Sequence, residues 1–239
     1  MNIEEHLKFW EDAKPHQMNA TAAIRWFGTP TPWHYRICNM IAKRRLTNIF
    51  DAGCGVGLIR TLLKSEYSDH KFNYKGIDIT PKFVNICQKL EMDVSIGNIE
   101  NIDESDNTYD LAMALDVLNH QMDFKKSLSE LIRISNKIVY ISFFREFKDP
   151  SEIVYKHTDP VLIYHHYNKQ DIIDYLNTFD NIEMFEFFNA GRQTHHRVAH
   201  STVTLKNTPN PHKWGFIWEN HPEQRPTLLP HEDLLIIKA

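Results

Sequence analysis

Three of the eight glycines in this 239-residue chain, Gly53, Gly55 and Gly57, fall within five residues. They follow the β-prone stretch Thr47, Asn48, Ile49, Phe50 and precede Leu58, Ile59, Leu62 and Leu63, which recur at helical spacing. Strand, glycine turn, helix is the opening unit of a parallel α/β sheet, because residues without a side chain let the backbone turn tightly and approach a ligand closely. The pattern then repeats. Tyr74 to Ile79 reads as a second strand, and Thr80 and Pro81 as the cap and first position of a helix with Phe83, Val84, Ile86, Cys87 and Leu90 on one face. Asp93 to Ile99 reads as a third strand. Tyr109 to Leu115 is a nearly unbroken apolar run, as expected of a central strand buried on both sides. Phe124 to Ile134 reads as a helix and Lys137 to Phe144 as a fifth strand. Such alternation predicts an α/β fold with right-handed crossovers: a doubly wound (Rossmann-like), mostly parallel sheet in a three-layer sandwich.

Beyond Phe144 the alternation loosens. Asn168 to Phe179 reads as a capped amphipathic helix, Ile182 to Phe188 as a strand and Asp233 to Lys238 as a final strand. The Pro-, His- and Trp-rich stretch between those two strands, with Ala199 to Lys206 as a candidate strand inside it, is too long for an ordinary loop and predicts an elaboration or a site cover. One domain over 1–239 is expected, with an N-terminal helical segment at 1–45, a ligand-binding core at 46–145 and a C-terminal half at 146–239 carrying a substrate-side insertion near 190–231. Composition narrows the partners. A net charge of −4, with Lys43, Arg44 and Arg45 as the one short basic run, gives no attraction for nucleic acid. Cys38, Cys54 and Cys87 are too widely spaced for a disulfide framework or a zinc finger, which suggests a reducing, cytoplasmic setting. No apolar run approaches the ~18 to 20 residues of a membrane span, and Met1 to Trp10 lacks a signal-peptide core. Oligomeric state is left open.

In open parallel sheets, ligands bind beyond the carboxyl ends of the strands. Three features fall there. The turn Asp51-Ala52-Gly53-Cys54-Gly55-Val56-Gly57 allows close backbone approach and aims helix N-terminal amides at a negative group. Asp78 ends the second strand, where a carboxylate accepts hydrogen bonds from both hydroxyls of a ribose. Asn98 ends the third, where an amide reads an adenine edge. Together they predict an adenosine-containing ligand. The dinucleotide fingerprint G-x-G-x-x-G would need glycine at position 58, and that position is Leu58.

With D-x-G-x-G-x-G instead, the chain resembles the class I S-adenosylmethionine-dependent methyltransferases. IFDAGCGVG is similar to their first motif, GIDIT to the acidic end of their second strand, SIGNIENI to the adenine loop and YDLAMALDVLNH to the fourth strand with its following loop. The resemblance covers roughly residues 45 to 145. It implies that Gly53 and Gly55 lie against the methionine part and ribose, that Asp78 binds the ribose hydroxyls, and that Ile79 and Ile99 flank the adenine. Asn98, where the family often has Asp, accepts from the adenine amino group. Backbone groups near Asp51 and Ala52 and at Leu115 and Asp116 hold the cofactor's ammonium. Cys54 reads as a small packing residue, and Cys38 and Cys87 as helix-face core.

By the same resemblance the acceptor lies over the strand ends. Candidates are Trp26, Phe27, Trp33, His34 and Tyr35 at the front, Asn119 and His120 after strand four, and Tyr164, His165, His166 and Tyr167 after strand five. A base near neutral pH is best supplied by histidine, so His120 and His166 are the candidates for proton removal, with structural roles in their loops as the alternative. His195, His196 and His200 bring too few shared-face imidazoles together for a metal site, and none is expected. Residues Asp116-Val117-Leu118-Asn119 lack the Pro-Pro-aromatic pattern of base-modifying amino methyltransferases, which makes a small-molecule acceptor methylated on O or N the leading expectation and leaves a protein acceptor open. The competing expectations are a nicotinamide-dependent reductase on a related fold and a methyltransferase-like binding protein without turnover.

Overall fold

Apolar residues two apart on each central strand point to the same face, and the helices divide accordingly. A computed structural model describes residues 30, 32–156, 162–189, 193–194, 227–228 and 232–239. The elements are α1 (Pro32–Lys43), β1 (Asn48–Ala52), α2 (Leu58–Glu66), β2 (Asn73–Asp78), α3 (Pro81–Lys89), β3 (Val94–Ile96), β4 (Tyr109–Leu115), α4 (Phe124–Ile134) and β5 (Ser135–Ser142). They continue with β6 (Glu152–Lys156), β7 (Leu162–His166), α5 (Lys169–Leu176), β8 (Ile182–Asn189), β9 (Gln193–Thr194), β10 (Thr227–Leu228) and β11 (Glu232–Lys238). Phe50, Ala112, Ala114, Val139 and Ile141 pack with α4 and α5. Ile49, Leu111, Met113, Ile138 and Tyr140 pack with α1, α2 and α3. The result is the expected three-layer α/β sandwich, each side filled by one parity of the strands.

The sheet has seven strands in the order β3-β2-β1-β4-β5-β11-β8. The first five are parallel to one another, and β11 runs antiparallel to both β5 and β8. A dinucleotide-binding sheet continues past its fifth strand with another parallel one. Here that place belongs to a reversed strand. Its ends are tied down by buried polar groups. Asp233 Oδ2 receives the Trp33 indole N–H at 2.7 Å and the Tyr140 hydroxyl at 2.5 Å. Lys238 Nζ donates to the Ile132 carbonyl and to Asn107 Oδ1, both at 2.8 Å, at the α4–β5 junction. Among the described residues no helix is long and apolar enough to cross a membrane.

Three expectations change in detail. Thr80 occupies the cap position of α3 without a side-chain cap bond, and Asp78 Oδ1 takes the Thr80 N–H at 2.8 Å instead. The third strand shortens to Val94–Ile96, because its only partner, β2, ends at Asp78 and the chain turns at Gly97, whose N–H bonds the Asp78 carbonyl. Tyr164, His165 and His166 belong to the antiparallel hairpin β6–β7, which the sequence pattern does not announce. Trp26, Phe27, Ala199 to Lys206 and the histidines at 195, 196, 200, 212, 221 and 231 lie outside the described residues.

Asp110 anchors the entry of β1 to β4. Its Oδ2 accepts from the Thr47 N–H at 2.7 Å and its Oδ1 pairs with Lys137 at 2.7 Å. Burial works against its charge, but Lys137 and the Thr47 and Asn48 donors outweigh it and hold the carboxyl down at about 2. A depressed carboxylate stabilises the fold above its ordinary range, and that contribution disappears as pH falls through the folded value. Asp110→Asn is therefore expected to cost about 1–2 kcal/mol at neutral pH, discounted for the solvent-exposed Lys137. In urea titrations the gap to the native protein should close between about pH 4 and pH 2; a pH-independent gap would remove the charge from the explanation.

Candidate functional site

The carboxyl ends of β1, β2 and β4 lie side by side, with Ala52 opposite Ile77 and Asp51 opposite both Gly76 and Met113. The chain leaving β1 makes a left-handed turn, with φ of 73° at Gly53, 56° at Gly55 and 71° at Gly57. Two of these positions show why glycine is needed. A Cβ on Gly53 would meet Val117 Cγ2 at 2.4 Å, so the turn after β4 sits directly on the glycine loop. A Cβ on Gly55 would meet nothing within 4 Å, which leaves open space beside a backbone poised for a ligand.

Two carboxylates define the polarity of this cradle. Asp78 holds the loop: Oδ2 accepts the Gly55 N–H at 2.8 Å while Oδ1 accepts that of Thr80. Burial raises its pKa, and the Thr80 and Gly55 amides oppose the rise. Each oxygen retains a second lone pair, which is what a pair of ribose hydroxyls requires. Asp51 is almost fully buried. Its Oδ2 accepts the Tyr74 hydroxyl at 2.8 Å, and its Oδ1 has no hydrogen-bond partner. Burial pushes the carboxyl up to about 7, with the Tyr74 hydroxyl opposing. A buried, unpartnered carboxylate oxygen costs free energy unless a donor arrives. That orphan, the open space at Gly55 and the lone pairs of Asp78 fit an adenosine-bearing ligand with a cationic group.

Ile79 is half-buried and Ile99 is buried near the ends of β2 and β3. Asn98 is exposed beyond β3, and its Oδ1 accepts the Glu100 N–H at 2.9 Å. At the end of β4, after Leu115, Asp116 adopts φ 64° and exchanges hydrogen bonds with the Ser142 hydroxyl. The cysteines serve the packing. Contact with the Cys87 thiol, and burial after it, hold the Cys54 thiol well above its ordinary range, while burial lifts Cys38 to about 12. Neither is a thiolate nucleophile at neutral pH.

The acceptor-side candidates separate into two groups. Asn119, Tyr167 and Trp33 have their polar atoms occupied by the fold. Asn119 donates to the His165 carbonyl at 2.7 Å and accepts the Phe144 N–H at 2.9 Å. The Tyr167 hydroxyl reaches the Leu118 and Gln121 carbonyls. Trp33 is the buried partner of Asp233, and His34 packs its ring at 4.7 Å from the Trp33 ring. His165 is buried and borders a cavity of about 610 Å³ between the start of α4 and α5. Burial lowers its pKa.

The second group surrounds the short 3-10 turn at Leu118–His120. His120 is half-buried, its Nδ1 lies 3.0 Å from the Ile163 carbonyl, and its ring forms a triangle with those of Phe144 (4.9 Å) and Tyr164 (5.3 Å), which touch each other at 5.6 Å. His166 Nδ1 lies 3.1 Å from the Glu146 carbonyl. A carbonyl partner makes Nδ1 the protonated atom, so each neutral ring keeps its lone pair on Nε2. Arg145, which sequence reasoning passes over, stacks on the same rings as His120. As one arginine in a loop it carries no motif, and only the return of β7 reveals its setting.

Residues 50–141 match the methyltransferase domain family model. Norajmaline N-methyltransferase of Rauvolfia serpentina is 30% identical over 120 residues, and ajmaline N-methyltransferase of the same plant 25% over 121. Both alignments take in 46% of this chain and 40% of the plant enzyme, so the chain spans about two fifths of the relatives it matches. The fold is that of the 1,6-didemethyltoxoflavin N1-methyltransferase of Burkholderia thailandensis, solved with S-adenosylhomocysteine, at TM-score 0.53 and 15% identity over 95% of this chain and 91% of that one. Residues 50–141 are thus similar to a methyltransferase domain, and the sheet with its reversed strand shares the fold of a methyltransferase solved with S-adenosylhomocysteine.

Proposed function

We propose that the protein transfers a methyl group from S-adenosylmethionine to a small-molecule acceptor through nitrogen or oxygen. The observation that carries this reading is the cradle itself: the orphaned Asp51 Oδ1 and the Asp78 carboxylate flank glycines whose backbone borders open space. Nitrogen is favoured by the plant relatives, which are named N-methyltransferases and match this chain over 40% of their length. S-adenosylmethionine supplies a methyl group on a sulfonium, displaced in line by the acceptor. The chain's work is alignment and proton removal. Asp78 holds the ribose, Ile79 and Ile99 enclose the adenine, Asn98 reads its edge, and Asp51 with the backbone at Leu115 and Asp116 takes the ammonium. His120 Nε2 receives the proton when the nucleophile carries one. Leu58 in place of a third fingerprint glycine and the antiparallel β11 both weigh against the nicotinamide reductase.

The test is calorimetric titration with S-adenosylhomocysteine. A carboxyl held at about 7 in the free protein must lose its proton when an ammonium arrives, so affinity rises with pH. Binding should tighten severalfold between about pH 6 and pH 7.5, with proton release visible as buffer-dependent heat. Asp51→Asn should flatten that dependence. Failure to bind at any pH refutes the methyltransferase reading, whereas pH-independent binding removes only the role of Asp51.

A further inference from the structure

The loop leaving β5 carries a cation that no carboxylate among the described residues neutralises. The Arg145 guanidinium carbon lies 4.1 Å from the centroid of the Tyr164 ring and 5.3 Å from that of Phe144. Its Nε is buried without a hydrogen-bond partner, and among the described residues no carboxylate pairs with it. The ring faces offset part of this demand, as cation–π contacts do, but they accept no N–H bond in the guanidinium plane. Contact with two rings set at 79° to each other restricts the side chain, and its planar fork of donors matches a flat pair of oxygens.

Position gives the cation its meaning. Phe144 is tied by its N–H to Asn119, Ser142 at the end of β5 is tied to Asp116, and Val117 rests on Gly53. Arg145 therefore extends from the same strand ends that form the cradle. His120 touches the same two rings, which places an anion anchor and a base on one aromatic wall. We infer that the acceptor carries an anionic oxygen group, carboxylate or phosphate, which Arg145 binds so that the nucleophile is presented on the His120 side. This rests on the methyltransferase reading above.

The protein loaded with S-adenosylhomocysteine is titrated calorimetrically with benzoate, phenyl phosphate and the neutral benzamide. At least one acid should bind about tenfold or more tightly than the amide, in keeping with a charge-assisted bidentate contact. The order of the two acids tells carboxylate from phosphate. Arg145→Gln should abolish the preference with unchanged affinity for S-adenosylhomocysteine, and Arg145→Lys should keep part of it, since an ammonium retains the charge but not the planar fork. Equal binding of acids and amide, no binding of any of the three, or a preference that survives Arg145→Gln overturns the inference. A native protein that does not bind S-adenosylhomocysteine overturns the underlying reading instead, so the two failures are distinct.

Discussion

Asp78→Ala is expected to weaken binding of S-adenosylmethionine and S-adenosylhomocysteine by about 100-fold or more. The carboxylate ties Gly55 and Thr80 to the end of β2, and in the proposed function it also accepts from the ribose hydroxyls. Hydrogen bonds to a charged group contribute roughly 1.5–3 kcal/mol each, so losing two to a ligand corresponds to about 10²- to 10⁴-fold in affinity. Asp78→Asn keeps one acceptor oxygen and the shape, and should fall between, near a tenfold loss. Calorimetry on both variants, with thermal unfolding of the ligand-free proteins as a folding control, decides the matter. An Ala variant binding within about threefold of the native protein would show that the ribose is held elsewhere.

The second large effect is kinetic. His120→Ala should lower turnover about 100-fold or more on any acceptor whose nucleophile must lose a proton, with affinity for S-adenosylhomocysteine unchanged. The Ile163 carbonyl orients the ring, and the adjoining Val117 rests on Gly53, so the imidazole is held close to the cradle rather than on a mobile tip. His166→Ala should leave the rate within a few-fold, because His166 lies on β7 against the loop at Glu146, whereas His120 is in the turn that follows Val117, which rests on Gly53. A structural loss and a lost base are separated by added imidazole, which should restore part of the rate to His120→Ala only if a proton acceptor is missing. Full activity in both Ala variants would leave catalysis to positioning alone.

The ends of β4 and α4 coincide with the sequence reading because both signals are local. Tyr109–Leu115 is apolar enough to be buried on both sides, and Asp123 caps α4 with its own carboxylate on the Lys125 N–H. The glycine turn and the strand-end carboxylates were legible for the same reason: these residues lie one after another at successive strand ends. His120 and Tyr164 were legible as separate candidates, but their meeting with Phe144 and Arg145 was not: it arises only when β7 returns against the turn after β4, a contact between distant segments with no periodicity of its own. Trp33 is the same case in reverse, an aromatic suited to a pocket that instead meets an aspartate 200 positions away.

The reversed strand between β5 and β8 also sets a timetable for synthesis. β5 is complete at Ser142, yet its partner begins at Glu232, some 90 residues later. At roughly 5–20 residues per second, translation leaves the β5 edge and then β8 unpaired for about 5 to 20 seconds. During that interval the β5 edge that β11 will later cover lies open to neighbouring chains.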